Sequence, residues 1–276
     1  MTKSILFTLI AVFFISISNA QIISGKILDT ESKPVGYVNI GIVGKNIGTV
    51  SDENGNFTLE LKDQYDNDTL KFSMIGFVSL EFKVRNFKQN HSSDKTIQII
   101  LNKSVTTLSE VTVKPKKYVT KVLGNTANSI RFTMGFQSND LGNELGTVMK
   151  IKKSPTFIEN VNFNIAVNHH DSITFRLNIY KMENGFPSEN ILTEPIFVSI
   201  AGNTRTLSVD LKKYNLIVED DFFVSLEWIK YLKGEGLFFC GGVYNADSYV
   251  RQTSQGNWEK IDYFGLGFYT TVSYEK

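Results

Sequence analysis

Period-two alternation in short runs constrains this chain more than any other feature. Val161, Phe163, Ile165 and Val167 share one face of an extended segment, with Asn162, Asn164 and Ala166 opposite, and Ile173, Phe175, Leu177 and Ile179 repeat the pattern. Phe57, Leu59 and Leu61 alternate in the same way. No stretch offers a long amphipathic helix, while 21 Phe, 11 Tyr and 20 Gly suit strands joined by tight turns. An all-β fold is the expectation, with 276 residues enough for two buried cores.

The beginning of the chain reads as an export signal. Lys3 precedes an apolar run from Ile5 to Ile17, and Ser18-Asn19-Ala20 provides small residues for cleavage after Ala20. The run falls short of the roughly 18 apolar residues of a spanning helix, and no later stretch reaches that length. An exported protein without a transmembrane segment is expected, in the periplasm or at the outer membrane or cell surface. The lone Cys240 leaves no pair for an internal disulfide and reads as a small buried apolar residue. Loss of Lys3 leaves 28 basic against 28 acidic residues, a balance that gives nucleic-acid binding no electrostatic support.

In the first third, seven short strands are predicted: Gln21 to Leu28, Gly36 to Val43, Gly48 to Val50, Phe57 to Leu61, Leu70 to Ile75, Phe77 to Val84 and Thr96 to Leu101. Asp29 to Pro34 and Ser51 to Asn56 carry turn chemistry, with Gly55 suited to a positive φ. Ser24-Gly25-Lys26-Ile27, Pro34-Val35, Val38-Asn39-Ile40, Gly48-Thr49, Asp52 to Phe57 and Ile75-Gly76-Phe77 together resemble the carboxypeptidase-like regulatory domain. That resemblance covers residues 21–103 and implies a transthyretin-like seven-stranded sandwich of a kind common in exported proteins of the Bacteroidetes. It does not imply peptidase activity, because in metallocarboxypeptidases the zinc ligands lie in a separate catalytic domain. Here only His91, His169 and His170 are available, and no helix presents His and Glu at ligand spacing. Leu108 to Val113 resembles the segment preceding the plug of TonB-dependent receptors, yet the remaining chain is too short for their barrel of about 22 strands. Shared ancestry or location is implied, and transport is not.

Residues 104–118 read as a linker and 119–276 as a second β-sandwich, jelly-roll-like in its expected eight or so strands. Its pattern diffusely resembles lectin-like and galactose-binding-like sandwiches. With Val224 and Leu226 inward, alternation turns Trp228 inward as well, whereas Trp258 follows the turn Gln255-Gly256-Asn257. Trp258, Tyr231 and Tyr249 are therefore the candidate ligand-binding residues, since exposed rings stack on sugars or anchor a protein partner. Asp220, Asp221 and Asp247 lie at strand boundaries and are candidate oxygen ligands for a structural calcium, with solvated turns as the alternative. His169-His170 point to opposite faces of an extended segment and do not readily chelate one ion. No Gly-x-Ser-x-Gly turn is present, and no catalytic residue is assigned.

Two readings follow, and a third beside them. The favoured one is a non-enzymatic envelope or surface protein, a scaffold or docking module joined to a sandwich that binds a glycan or an envelope protein. The second is an accessory carbohydrate-active hydrolase using paired carboxylates among Glu219, Asp220, Glu227 and Asp247. The third is a purely structural envelope component.

Overall fold

The computed structural model describes residues 20–92, 96–104, 117–136, 140–230, 236–244 and 246–276. The expected export signal (1–20) lies outside the described residues except for Ala20, the expected linker (104–118) does so over 105–116, and Tyr231 is also outside them. Among the described residues, no helix is long and apolar enough to cross a membrane.

Seven strands form the first sandwich: β1 (Ala20–Asp29), β2 (Asn39–Ile42), β3 (Gly48–Val50), β4 (Asn56–Lys62), β5 (Thr69–Ser73), β6 (Leu80–Lys83) and β7 (Ile97–Leu101). They pair as β4-β1-β7 and β3-β2-β5-β6, with β7 parallel to β1. Inward residues of both sheets, Ile27, Leu59, Ile40 and Phe72 among them, make one apolar core. The turn into β4 is set by Asp52, whose Oδ1 accepts from the backbone N–H of Asn54 at 2.9 Å and Asn56 at 2.7 Å. Gly55 there has φ +79, which a side chain would resist, and its carbonyl receives the Ile27 N–H at 2.9 Å.

The strand expected over Phe77 to Val84 is shorter than its sequence suggests. It ends at Lys83 and a seven-residue helix, α1 (Val84–Asn90), follows. Val84 and Phe87, three positions apart, share the helix face that enters the core, where Phe87 lies 5.7 Å from Phe72 and 5.3 Å from Phe82. Two buried positions in about two turns are too few for a periodicity to show.

Fifteen strands build the second sandwich among the described residues, where eight or so were expected. They are β8 (Tyr118–Gly124), β9 (Thr133–Phe136), β10 (Glu144–Met149), β11 (Thr156–Asn168), β12 (Ser172–Glu183), β13 (Phe186–Asn190), β14 (Ile196–Ala201), β15 (Thr206–Asp210), β16 (Ile217–Val218), β17 (Phe222–Trp228), β18 (Leu237–Val243), β19 (Ser248–Arg251), β20 (Trp258–Ile261), β21 (Phe264–Leu266) and β22 (Phe268–Glu275). One sheet runs β13-β12-β17-β10-β19-β20, and the other runs β21-β18-β11-β22-β8, with shorter strands alongside. Phe175, Leu226 and Leu145 of the first sheet meet Phe163, Phe239 and Phe268 of the second in a single core. Trp228 is fully inside it, 5.4 Å from Phe175 and 5.3 Å from Phe136, as alternation requires. Cys240 is buried. Asn184 and Gly185 both take positive φ, 51 and 82, and close the β12–β13 hairpin.

The outer face of the β12-β17-β10-β19 sheet packs on the first sandwich. The loop after β19 packs on β5 and the β2–β3 hairpin: Gln255 Nε2 donates to Ser73 Oγ at 2.8 Å, Asn257 Nδ2 to the Gly44 carbonyl at 3.1 Å, and the Gly44 N–H to the Gln255 carbonyl at 2.9 Å. Gly41 and Gly48 allow that approach, because a methyl group at either would overlap the Ser254 carbonyl oxygen. Tyr37 and Phe197 add a ring contact at 5.1 Å.

Candidate functional site

Strand register brings four charged residues into one row across this covered face. Arg176 lies opposite Glu227, Glu227 opposite Glu144, and Glu144 opposite Arg251. The next row on the same face runs Asn178, Ser225, Gly146, Tyr249, because side chains repeat every second residue. Glu144 and Glu227 are 0% exposed and Arg176 is 1% exposed. Burying such charges is costly unless partners replace water. Here they do so in part: Arg176 donates Nε and Nη2 to Glu227 Oε2 at 3.0 and 2.8 Å, while Glu227 Oε1 is buried with no partner among the described residues. Asn178 Nδ2 sits between the carboxylates, 2.8 Å from Glu144 Oε1 and 2.9 Å from Glu227 Oε2. Ser225 Oγ donates to Glu144 Oε1 at 2.5 Å, and Arg251 Nη2 pairs with Glu144 Oε2. Burial pushes the Glu144 carboxyl up from its ordinary value, the Glu227 charge adds to this, and Arg251 opposes it.

The first sandwich completes the row. Arg176 Nη1 donates to the Tyr37 carbonyl at 2.6 Å and contacts Met74 Sδ at 3.2 Å, and Nη2 reaches Asn39 Oδ1. One guanidinium thus joins a carboxylate of one sandwich to backbone, amide and thioether acceptors of the other.

Beside this row a cleft of about 720 Å³ opens between the sandwiches. Asn39, Lys71 and Ser73 line it from the first, and Arg176, Asn178, Tyr180, Lys181, Asn190 and Arg251 from the second. The amides are oriented in series: Asn190 Nδ2 donates to Asn178 Oδ1 at 3.0 Å, and Asn190 Oδ1 receives the Leu192 N–H at 3.0 Å. Fixed polar groups over a rigid sheet are suited to holding a polar ligand in one pose.

Two of the predicted ligand-binding residues, Tyr249 and Trp258, occupy other surroundings than expected, and the third, Tyr231, lies outside the described residues. Tyr249 is 5% exposed, with its ring 5.8 Å from Phe223 and its hydroxyl donating to the Gly185 carbonyl at 2.8 Å. Trp258 is half-buried in β20 instead of exposed in a turn, 5.0 Å from Phe223 and 5.8 Å from Tyr180. Val148, Tyr180, Phe223 and Tyr249 form a small apolar cluster there because the outer face of the sheet is not solvated. Trp258 still borders the site, since the Arg251 guanidinium lies 4.7 Å over its ring. Phe186, 5.8 Å from the Tyr249 ring, is 47% exposed, and Tyr244 and Tyr263, paired with each other, are 79% and 69% exposed, both at positive φ.

The candidate calcium ligands do not form one donor set. Asp247 is paired with Lys150 and Lys260, each at 2.9 Å, and these ammonium groups hold its carboxyl below the usual range. Asp221 Oδ1 accepts the Ile151 N–H at 2.8 Å, and Asp220 is exposed. Among the described residues, no group of three or more His, Cys, Asp or Glu side chains is placed to hold a metal ion. Of the four acids proposed for hydrolysis, only Glu227 joins the site, and its neighbour there is Glu144.

The architecture is that of two β-sandwiches sharing a polar seam. Residues 23–113 match the family model of the CarboxypepD_reg-like domain, which places the first sandwich in that transthyretin-like class. No curated protein matches the chain. Among solved structures, the cysteine protease and lectin-like domains of Cwp84, a surface-layer-associated protein of Clostridium difficile, align at 11% identity and TM-score 0.41, over 55% of this chain and 36% of that one. The clostridial cysteine protease Cwp84 after propeptide cleavage aligns at 11% identity and TM-score 0.40, over 90% and 70%. The VP2 subviral particle of infectious bursal disease virus gives 10%, 0.24, and 93% and 60%. The chain thus spans about a third of the first of these, and likenesses of this size assign no function.

Proposed function

We propose that this is a non-enzymatic exported protein of the cell envelope or surface, in which the CarboxypepD_reg-like sandwich serves as scaffold and the cleft beside it binds a glycan or a segment of an envelope protein. The observation that carries the reading is the row Arg176, Glu227, Glu144, Arg251, buried between the sandwiches and bonded to both. It fixes the cleft walls relative to each other and orients Asn178 and Asn190 without a conformational change.

Binding is favoured over hydrolysis by the placement of the carboxylates. A glycosidase sets its two acids on either side of the scissile bond, roughly 5 to 9.5 Å apart. Glu144 and Glu227 instead occupy adjacent strands of one sheet, both 0% exposed and engaged by Arg176, Asn178, Ser225 and Arg251.

The test is a glycan panel probed with the mature chain, beside Asn190→Ala and Lys181→Ala variants shown to be folded. Saturable binding weakened roughly tenfold in the variants, the size of one lost polar contact, is expected. Binding unaffected by both variants would move the site elsewhere, and no binding at all would favour the structural role. A metal chelator is expected to leave binding unchanged.

A further inference from the structure

Arg251 is held in place but not fully used. Its Nη2 meets Glu144 Oε2 and lies 3.4 Å from the Tyr180 hydroxyl, and its guanidinium rests on Trp258. Its side chain is only 11% exposed, yet it lines the cleft. Among the described residues neither Nε nor Nη1 has a hydrogen-bond partner in the protein, and Nε is buried. This contrasts with Arg176, all of whose nitrogens are engaged.

Two lysines line the same cleft, Lys71 and Lys181. Each has an exposed carboxylate partner, Glu81 at 3.1 Å and Glu189 at 2.6 Å. Pairs of that kind exchange readily for a better-placed anion, because solvent screens them. Glu144 and Glu227 neutralise the two arginines from beneath, and Glu189 is the one carboxylate in the lining itself. The rest of the lining mixes hydroxyls and amides suited to sugar hydroxyls, Ser73, Asn190 and Gln255 among them, with apolar side chains such as Phe77, Ile191 and Leu192.

We propose that the cleft binds an acidic saccharide whose carboxylate docks on Nη1 of Arg251, with Lys71 and Lys181 as further cations in the same lining. The inference rests on the cleft being the ligand site and adds the chemical class of the ligand. A carboxylate on a fixed guanidinium gains charge-assisted hydrogen bonds without ordering the side chain.

Titration calorimetry of the full mature chain tests it with hexagalacturonate, sialyllactose, a neutral galactohexaose and hexaglutamate. Expected is saturable binding of at least one acidic sugar, roughly tenfold or more tighter than the neutral hexamer and weakened by salt. Lys71→Ala and Lys181→Ala should each weaken it several-fold, and Arg251→Lys, which keeps a cation beside Glu144, should weaken it further by removing the fork. Equal binding of the neutral hexamer, lost in Lys181→Ala, would overturn the acidic class while leaving the cleft as a glycan site. Tighter binding of hexaglutamate would overturn the saccharide. Failure of all four probes would overturn this inference, and the cleft reading would fall with it only if the glycan panel also gave nothing.

Discussion

At the residue scale the account turns on Arg176 and Glu227. Alternation along β17 places Trp228 in the core and therefore Glu227 on the opposite face, which is legible in the sequence. What the sequence does not carry is that a second domain covers that face, turning an apparently solvated acid into a fully buried one. Arg176→Met should destabilise the chain by about 3–5 kcal/mol in urea titration, because it leaves Glu227 charged and short of partners. Arg176→Met combined with Glu227→Leu should recover much of the loss, since the buried pair itself adds little net stability. Asp247 behaves differently, being partly exposed between Lys150 and Lys260. Its depressed carboxyl contributes stability above about pH 4 that is lost as the pH falls through its folded value. Asp247→Asn should therefore lower stability by about 1 kcal/mol or less at neutral pH, with the difference from wild type fading in acid, as thermal melts against pH would show.

At the element scale, the strands that carry half the site are those the sequence hid. β10 is buried at all six positions and so shows no alternation, yet it supplies Glu144. β19 has four residues, two buried and two half-buried, and supplies Arg251. A period-two reading detects strands with one wet face, and both of these lie under another layer. The outer strands of the first sandwich were readable for the converse reason: β7 throughout, and β4 up to Leu61, alternate between buried and exposed positions. Helix α1 escaped because its core contact rests chiefly on Phe87, and Phe87→Ala should cost about 3–5 kcal/mol by equilibrium unfolding. The Ser254 carbonyl oxygen sits directly over Gly41 of the β2–β3 hairpin, so Gly41→Ala should destabilise by about 1–3 kcal/mol although it adds only a methyl group.

At the scale of the whole molecule, two sandwiches that the sequence shows as separate units are joined by polar contacts that no local pattern announces. Arg176 and Asn39 lie 137 residues apart, and Gln255 and Ser73 are separated by 182. Each of these residues taken alone reads as an ordinary surface group. The seam joins the domains into one folding unit and holds open the cleft beside them. Differential scanning calorimetry of the full mature chain and of Arg176→Met tests this most directly. The account predicts one transition for the wild type, with equal calorimetric and van't Hoff enthalpies, and its separation into two in the variant. Two independent transitions in the wild type, unmoved by Arg176→Met, would contradict it.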